Sequence, residues 1–347
     1  MTTSFETVII GAGPAGLACA ARLADNGHNV LVLEKKSSLG PKVCAGGITW
    51  SGLTEHVPEA LVERSFHAQV IRTQRQRFML HSDCPMVSTV RRDRLGEWMA
   101  NDAITKGAHI ETAARVLALT DSFLLVKRKD NSEQKISFDR LVGADGSHSL
   151  VRRHIGLPSR AGIGIHYLVP GRFDRMEWHL NPSLFGNGYG WIFPYNDHAS
   201  VGAYKMSVPG KEQETGWWLH RSLKTWCAKN AINLTGLTPR AGHISCDFQG
   251  VRFQKKFFLA GDAAGLASGL TGEGILPAIV SGKAVADEIM GKNDAATVLR
   301  PLLQRQQLHH RVLRLTGMNP LLNSLVMETL ALGLRSRLVP FSTLEMG

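Results

Sequence analysis

Hydrophobic positions along the first 36 residues change rhythm twice. Val8–Ile10 is a short unbroken apolar run, Pro14–Asn26 carries its apolar residues at helical spacing, and "NVLVLE" is unbroken again. Unbroken short runs suit strands buried on both faces of a parallel sheet, and the helical stretch between them suits a crossover. Gly27 stands where a left-handed residue ends a helix. One βαβ unit is therefore predicted over 6–36. Two later segments repeat the strand-then-turn pattern: "FDRLVGADG", with its strand ending at Gly143, and "KKFFLAGDAAG", which runs through a glycine-rich turn into a helix.

The rhythm differs from about Phe66 to Ser88 and from Gly162 to Phe248. "QVIRTQRQRFML" and "GYGWIFPYNDHASVGAYKM" read as antiparallel strands joined by short turns. In "YGWIFP" the aromatics Tyr189, Trp191 and Phe193 alternate, so a strand puts all three on one face. That face is either sheet core or the wall of a pocket for a flat ring or an isoprenoid. After Met290 the chain is amphipathic and basic, with helices broken near Gly317 and Pro320. These helices either cap the first domain or form an interfacial surface in which Arg300, Arg305, Arg311 and Arg314 meet anionic headgroups.

A chain of 347 residues suits about two domains, and 44% hydrophobic with 20% charged residues is ordinary globular composition. No apolar run reaches about 18 residues without a charge. The first ten residues lack a basic leader, so a cytoplasmic or membrane-peripheral protein is expected. Five cysteines, at 19, 44, 84, 227 and 246, form no CxxC pair, which argues against a disulfide framework or zinc site. His309–His310 lacks any further ligand spacing, and no metal is expected. The net charge of +11 fits a plain basic surface, a phosphate-bearing ligand or a membrane face. Its basic residues are scattered and carry no nucleic-acid-binding motif, so no nucleic-acid partner is expected.

The chemistry starts at the first strand–helix turn. Gly11, Gly13 and Gly16 form GxGxxG: one glycine turns the chain, one admits a pyrophosphate close to the backbone, and one lets helix pack on strand. The helix N-terminus offers free N–H groups to phosphate. Glu34 closes the second strand, 18 residues after Gly16, where a carboxylate accepts ribose hydroxyls. This much suits NAD or FAD. The pairs Asp145–Gly146 and Gly261–Asp262, in that order, favour FAD, because a dehydrogenase has no use for them. No second GxGxxG is present, so the reductant is a transiently bound NAD(P)H or a separate reduced carrier.

"GAGPAG", "GADGSHSLVR" and "LAGDAAG…GEGI" together resemble the FAD-binding fold of the p-hydroxybenzoate-hydroxylase type. "KVCAGG" and "YGWIFP" are similar to stretches of the geranylgeranyl reductase family, and the length suggests a short bacterial branch of it. The resemblance implies an α/β fold: a Rossmann-like FAD-binding domain (1–65, 89–161 and 249–295), an inserted antiparallel β-sheet substrate domain (66–88 and 162–248), and a C-terminal helical segment (296–347). It implies tightly bound, non-covalent FAD, held by Gly11, Gly13, Pro14, Ala15, Gly16, Glu34 and Lys35. Arg92, with Arg91 as the alternative, is placed near the phosphates, and Val116 at the adenine. Asp145, Gly146, Gly261 and Asp262 fall along the ribityl chain. Gly272, Gly274 and Ile275 fall at the flavin ring, where a helix N-terminus stabilises the anionic reduced form.

Lys42, Val43 and Ala45 are implied cofactor contacts, and Gly46 and Gly47 fall beside the substrate with Tyr189, Trp191 and Phe193. Cys44 is either catalytic or space-filling, since its reactivity depends on surroundings that a sequence does not show. Two positions depart from the family pattern: Tyr204 in "VGAY" replaces a glycine, and Leu276–Pro277 replaces aromatics. The implied activity is reduction of C=C bonds in an isoprenoid or similar apolar, phosphate-bearing substrate. An aromatic monooxygenase, a flavin-dependent halogenase or a non-enzymatic FAD sensor are the alternatives.

Overall fold

The computed structural model describes residues 3–40 and 42–346. Its central sheet is built around Thr3–Ile10, which pairs in parallel with Val30–Leu33 on one side and Glu133–Gly143 on the other. Ile10 stands level with both Leu33 and Gly143. His109–Glu111 and Phe257–Leu259 extend the parallel sheet outward. Arg115–Leu119 and Phe123–Lys127 add an antiparallel ribbon on Glu133–Gly143. Ile9, Val32, Leu141, Val142 and Phe257 are fully buried, each contributing roughly 1.5–3 kcal/mol of transfer free energy. The first strand is longer than its apolar run because its opening residues pair with Ile136–Arg140 while their side chains stay largely in solvent.

The helix Pro14–Ala24 stops before Asn26, and Gly27 follows with φ +81°. Helix Ile275–Ile289 packs against it. A Cβ on Gly282 would lie 2.2 Å from Ala15 O, so only glycine permits this approach. Arg22 and Asp287 join the two helices through a 2.9 Å ion pair.

A seven-stranded sheet forms the second layer. Its order is Arg240–Ser245, Ala161–Pro170, His198–Met206, Tyr189–Pro194, Met176–His179, Ala68–Arg72 and Arg77–His81. Helix Glu212–Lys229 covers its outer face with Leu219, Leu223 and Trp226. The sheet is antiparallel except at one junction, where Met176–His179 runs parallel to Ala68–Arg72. The hairpin 68–81 comes from an earlier chain segment, so no tight turn dictates its direction at that edge. A small three-stranded sheet of Gly47–Thr49, Val87–Val90 and Val62–Phe66 lies alongside. The glycine-rich segment after Cys44 thus runs into a short strand at Gly47.

The chain closes with helices Ala295–Met318 and Pro320–Arg335. They break at Asn319, whose side chain accepts the Leu322 N–H, with Pro320 opening the second helix. The segment after them, Phe341–Met346, returns to the interior. His309 holds it: Nε2 donates to Thr343 O, which leaves Nδ1 to accept from Ser268 Oγ.

Candidate cofactor and substrate cavity

One cavity of about 940 Å³ runs between the two sheets. Its first end is the glycine turn. Gly11 has φ +102°, and a Cβ there would lie 2.5 Å from Ala144 O. Gly13 precedes a helix with no side-chain cap, so the first-turn N–H groups are left for another acceptor. The Glu34 carboxylate is pinned at the strand end by the N–H groups of Ala12, at 3.0 Å, and Lys36, at 2.9 Å. Arg92 lines this end, and its Nε and Nη1 are buried with no acceptor among the described residues. Arg91 instead pairs with Asp93 and stays outside the cavity. An uncapped helix start, a half-buried guanidinium with two unpaired nitrogens and a fixed carboxylate fit a pyrophosphate and ribose.

Lys35, Pro14, Ala15 and Val116 also line this end. Gly16 and Gly261, expected among the cofactor residues, do not. A Cβ on Gly16 would sit 2.0 Å from Gly11 O, and one on Gly261 would meet Ala15 Cβ at 3.0 Å. Both therefore act as spacers between packed elements behind the cavity wall. The motif arginine Arg152 is also structural. It is 2% exposed, bonds the carbonyls of Pro158 and Ala263, and pairs with Asp247 at 3.0 Å.

In the middle of the cavity Asp145 and Gly146 line one wall, and Asp145 Oδ2 accepts the Leu150 N–H at 2.6 Å. Its Oδ1 is buried without a partner among the described residues, and burial raises the carboxyl's pKa. Asp262 Oδ2 accepts from Lys42 Nζ at 3.1 Å and from Ser147 Oγ at 3.3 Å. Lys42 thus bridges the loop before Cys44 to the Gly261–Ala264 turn. Gly272, Gly274 and Ile275 line the far part. Gly274 begins helix Ile275–Ile289 without a side-chain cap, which leaves N–H groups there too.

Val43, Cys44, Ala45, Gly46 and Gly47 border the same space. Cys44 Sγ accepts the Gly46 N–H at 3.3 Å. The two glycines have a reason that the sequence did not show. A Cβ on Gly46, at φ +82°, would fall 1.6 Å from Tyr195 Oη, and one on Gly47 would fall 2.9 Å from Phe193 Cε2. Aromatic side chains of the second layer occupy that room.

Tyr189, Trp191 and Phe193 all face the cavity, joined by Trp178 and Tyr204. Trp178 lies 4.9 Å from Phe193 and 5.1 Å from Tyr189, ring centre to ring centre. Tyr189 Oη donates to Thr271 O, and Tyr204 Oη donates to Gly269 O at 3.0 Å. The two tyrosines dock the sheet on the turn that leads into Ile275–Ile289. Tyr204, the departure from the family pattern, fills the space above Gly162.

Glu273 went unnoticed in the sequence, although it is the acidic residue inside "TGEGI". Its carboxyl accepts from Thr49 Oγ1 at 3.2 Å and from the Met346 N–H at 3.0 Å. Burial pushes its pKa up to about 7; the Met346 bond opposes this and nearby Glu345 adds to it. His166 was also missed. Its Nδ1 contacts Ser200 Oγ at 2.8 Å, Ser200 accepts from Trp191 Nε1, and burial lowers its pKa to about 4. The C-terminal helix contributes Met327, Leu330 and Leu334 as a roof, and Phe341 and Leu344 follow from the tail.

Comparison with known proteins points to the same fold and cofactor. A family described as FAD binding domain matches residues 4–230. An uncharacterized protein of Methanosarcina barkeri is 29% identical over 317 residues, covering 87% of this chain and 79% of its own. Digeranylgeranylglycerophospholipid reductase 2 of Methanopyrus kandleri is 29% identical over 316 residues, covering 82% and 76%. Among solved structures, a geranylgeranyl bacteriochlorophyll reductase-like protein from Thermoplasma acidophilum superposes with a TM-score of 0.78 at 19% identity, covering 94% and 91%. No helix among the described residues is long and apolar enough to cross a membrane. The chain belongs to the FAD-binding domain family and is an FAD-dependent oxidoreductase, similar to reductases of the geranylgeranyl type.

Proposed function

We propose that the protein reduces C=C bonds of a prenyl lipid or similar apolar substrate. The observation that carries this is the continuity of the cavity: a dinucleotide cradle at one end runs into an aromatic, apolar chamber at the other. When bound and reduced, FAD supplies hydride from its N5. Tyr189, Trp191, Phe193 and Trp178 hold an apolar chain by burial and ring contacts and exclude water from it. Glu273 carries the proton. A carboxyl held near neutrality can be a general acid at physiological pH, where an ordinary glutamate is fully ionised. Cys44 positions the substrate beside the glycine strand. Lys42, Val43, Ala45, Arg92 and Asp262 are assigned to the cofactor, Gly46 and Gly47 to the substrate end. Electrons come from transiently bound NAD(P)H or a reduced carrier.

The test is anaerobic. Purified yellow protein, reduced with dithionite, is offered a panel of prenyl lipids and the products are read by mass spectrometry. Gain of two hydrogens per double bond is expected. No gain with any lipid, or insertion of oxygen into an aromatic substrate under air, would overturn the reductase reading. Cys44→Ala is expected to keep FAD bound and to lower turnover about tenfold, since a misplaced chain loses the alignment that the reaction needs.

A further inference from the structure

The roof of the cavity has a second side. On helix Pro320–Arg335, Met327, Leu330 and Leu334 face the cavity. Leu321, Leu325 and Leu332 lie about half a turn away at 3.6 residues per turn, and they are 85%, 64% and 56% exposed. The stripe continues across the break at Asn319. Met318 is 71% and Leu315 47% exposed on the preceding helix, and Leu338, just past the roof helix, is 83% exposed. Large apolar side chains gathered on one helical face, with the opposite face lining a binding cavity, are unlike the scattered exposed leucines of an ordinary surface.

Charge indicates what covers this face. Between 295 and 347 the chain has six arginines and two glutamates. Arg311, Arg314, Arg335 and Arg337 are exposed, and none forms an ion pair among the described residues. The two acids are held inward: Glu328 accepts from Thr73, Gln76 and the Arg75 N–H, and Glu345 borders the cavity. A second copy seated here would bring unpaired arginines against arginines. An anionic lipid surface meets both the leucines and the charge. We propose that the helix Pro320–Arg335 and the end of Ala295–Met318 lie in the headgroup layer of an anionic membrane, leucines down and arginines on phosphate, so that the roof of the cavity is the side facing the bilayer.

The test needs no substrate, so its outcome is independent of the prenyl-lipid reading. FAD-loaded full-length protein is sedimented with vesicles of phosphatidylcholine alone and of phosphatidylcholine with about a third phosphatidylglycerol. Binding to the anionic vesicles, weakened by salt, is expected. Leu321→Ser/Leu325→Ser/Leu332→Ser should weaken it by about tenfold or more. Arg311→Gln/Arg314→Gln should weaken it by about fivefold per charge. FAD content and melting temperature should stay unchanged in both. If the leucine variant sheds FAD, the arginine variant, which loses no apolar contact, carries the test. Wild-type protein left in the supernatant with anionic vesicles would overturn the proposal. So would variants that bind like wild type, or a wild-type dimer in the ultracentrifuge that the leucine variant loses.

Discussion

Glu273→Gln separates what the buried carboxyl does to stability from what it does to turnover. The ordinary glutamate value is 4.5, and burial moves Glu273 to about 7. At about 1.4 kcal/mol for each tenfold in proton affinity, the native state binds this proton more tightly than the unfolded chain by about 3 kcal/mol. The sign follows from linkage. A raised carboxyl gives its full contribution below the unfolded value and loses it as pH climbs from 4.5 through about 7, with no further loss above. Glutamine cannot ionise and keeps both contacts: its carbonyl accepts the Met346 N–H and its amide donates to Thr49 Oγ1, which turns to accept. The variant should therefore match wild type near pH 4.5 and exceed it by up to about 3 kcal/mol at about pH 8. Urea unfolding of both proteins across that range measures the difference. Parallel stability–pH curves would refute the placement of a near-neutral carboxyl here. Turnover should move the other way, falling by about a hundredfold or more in the variant while FAD stays bound. Wild-type turnover should decline as pH rises through about 7.

Other substitutions test the remaining geometry. Gly46→Ala drives a Cβ into Tyr195 Oη and strains a φ of +82°, so a loss of about 1–3 kcal/mol is expected, partly restored by Tyr195→Phe; thermal melts decide. Arg92→Ala should weaken FAD binding by about tenfold to a hundredfold, and Arg91→Ala should leave it unchanged, as read by fluorescence titration of the apoprotein. Arg152→Ala strands Asp247 and several carbonyls in the interior, and should cost about 3–5 kcal/mol in denaturant unfolding.

Much of this molecule was legible along the chain, because local rules act over short spans. The change between unbroken and helical apolar rhythm specified the βαβ unit, since burial on two faces and burial on one stripe leave different periods. GxGxxG with Glu34 specified the tight turn and the carboxylate at the strand end, because only glycine tolerates φ +102° with a carbonyl 2.5 Å from its missing Cβ. Alternation in "YGWIFP" put three aromatics on one face, and Pro320 after Asn319 marked the helix break. Alternation names a shared face but not what lies opposite it. Whether Tyr189, Trp191 and Phe193 border a cavity or sit in a closed core depended on the second sheet's position against the first. The same holds for Gly46, whose constraint is a tyrosine 149 residues further on. It holds again for Glu273, whose acidity is set by enclosure and by a backbone N–H from Met346. Enclosure, and the pairing or isolation of a buried charge, arise from segments far apart in the chain, so only the tertiary structure decided them.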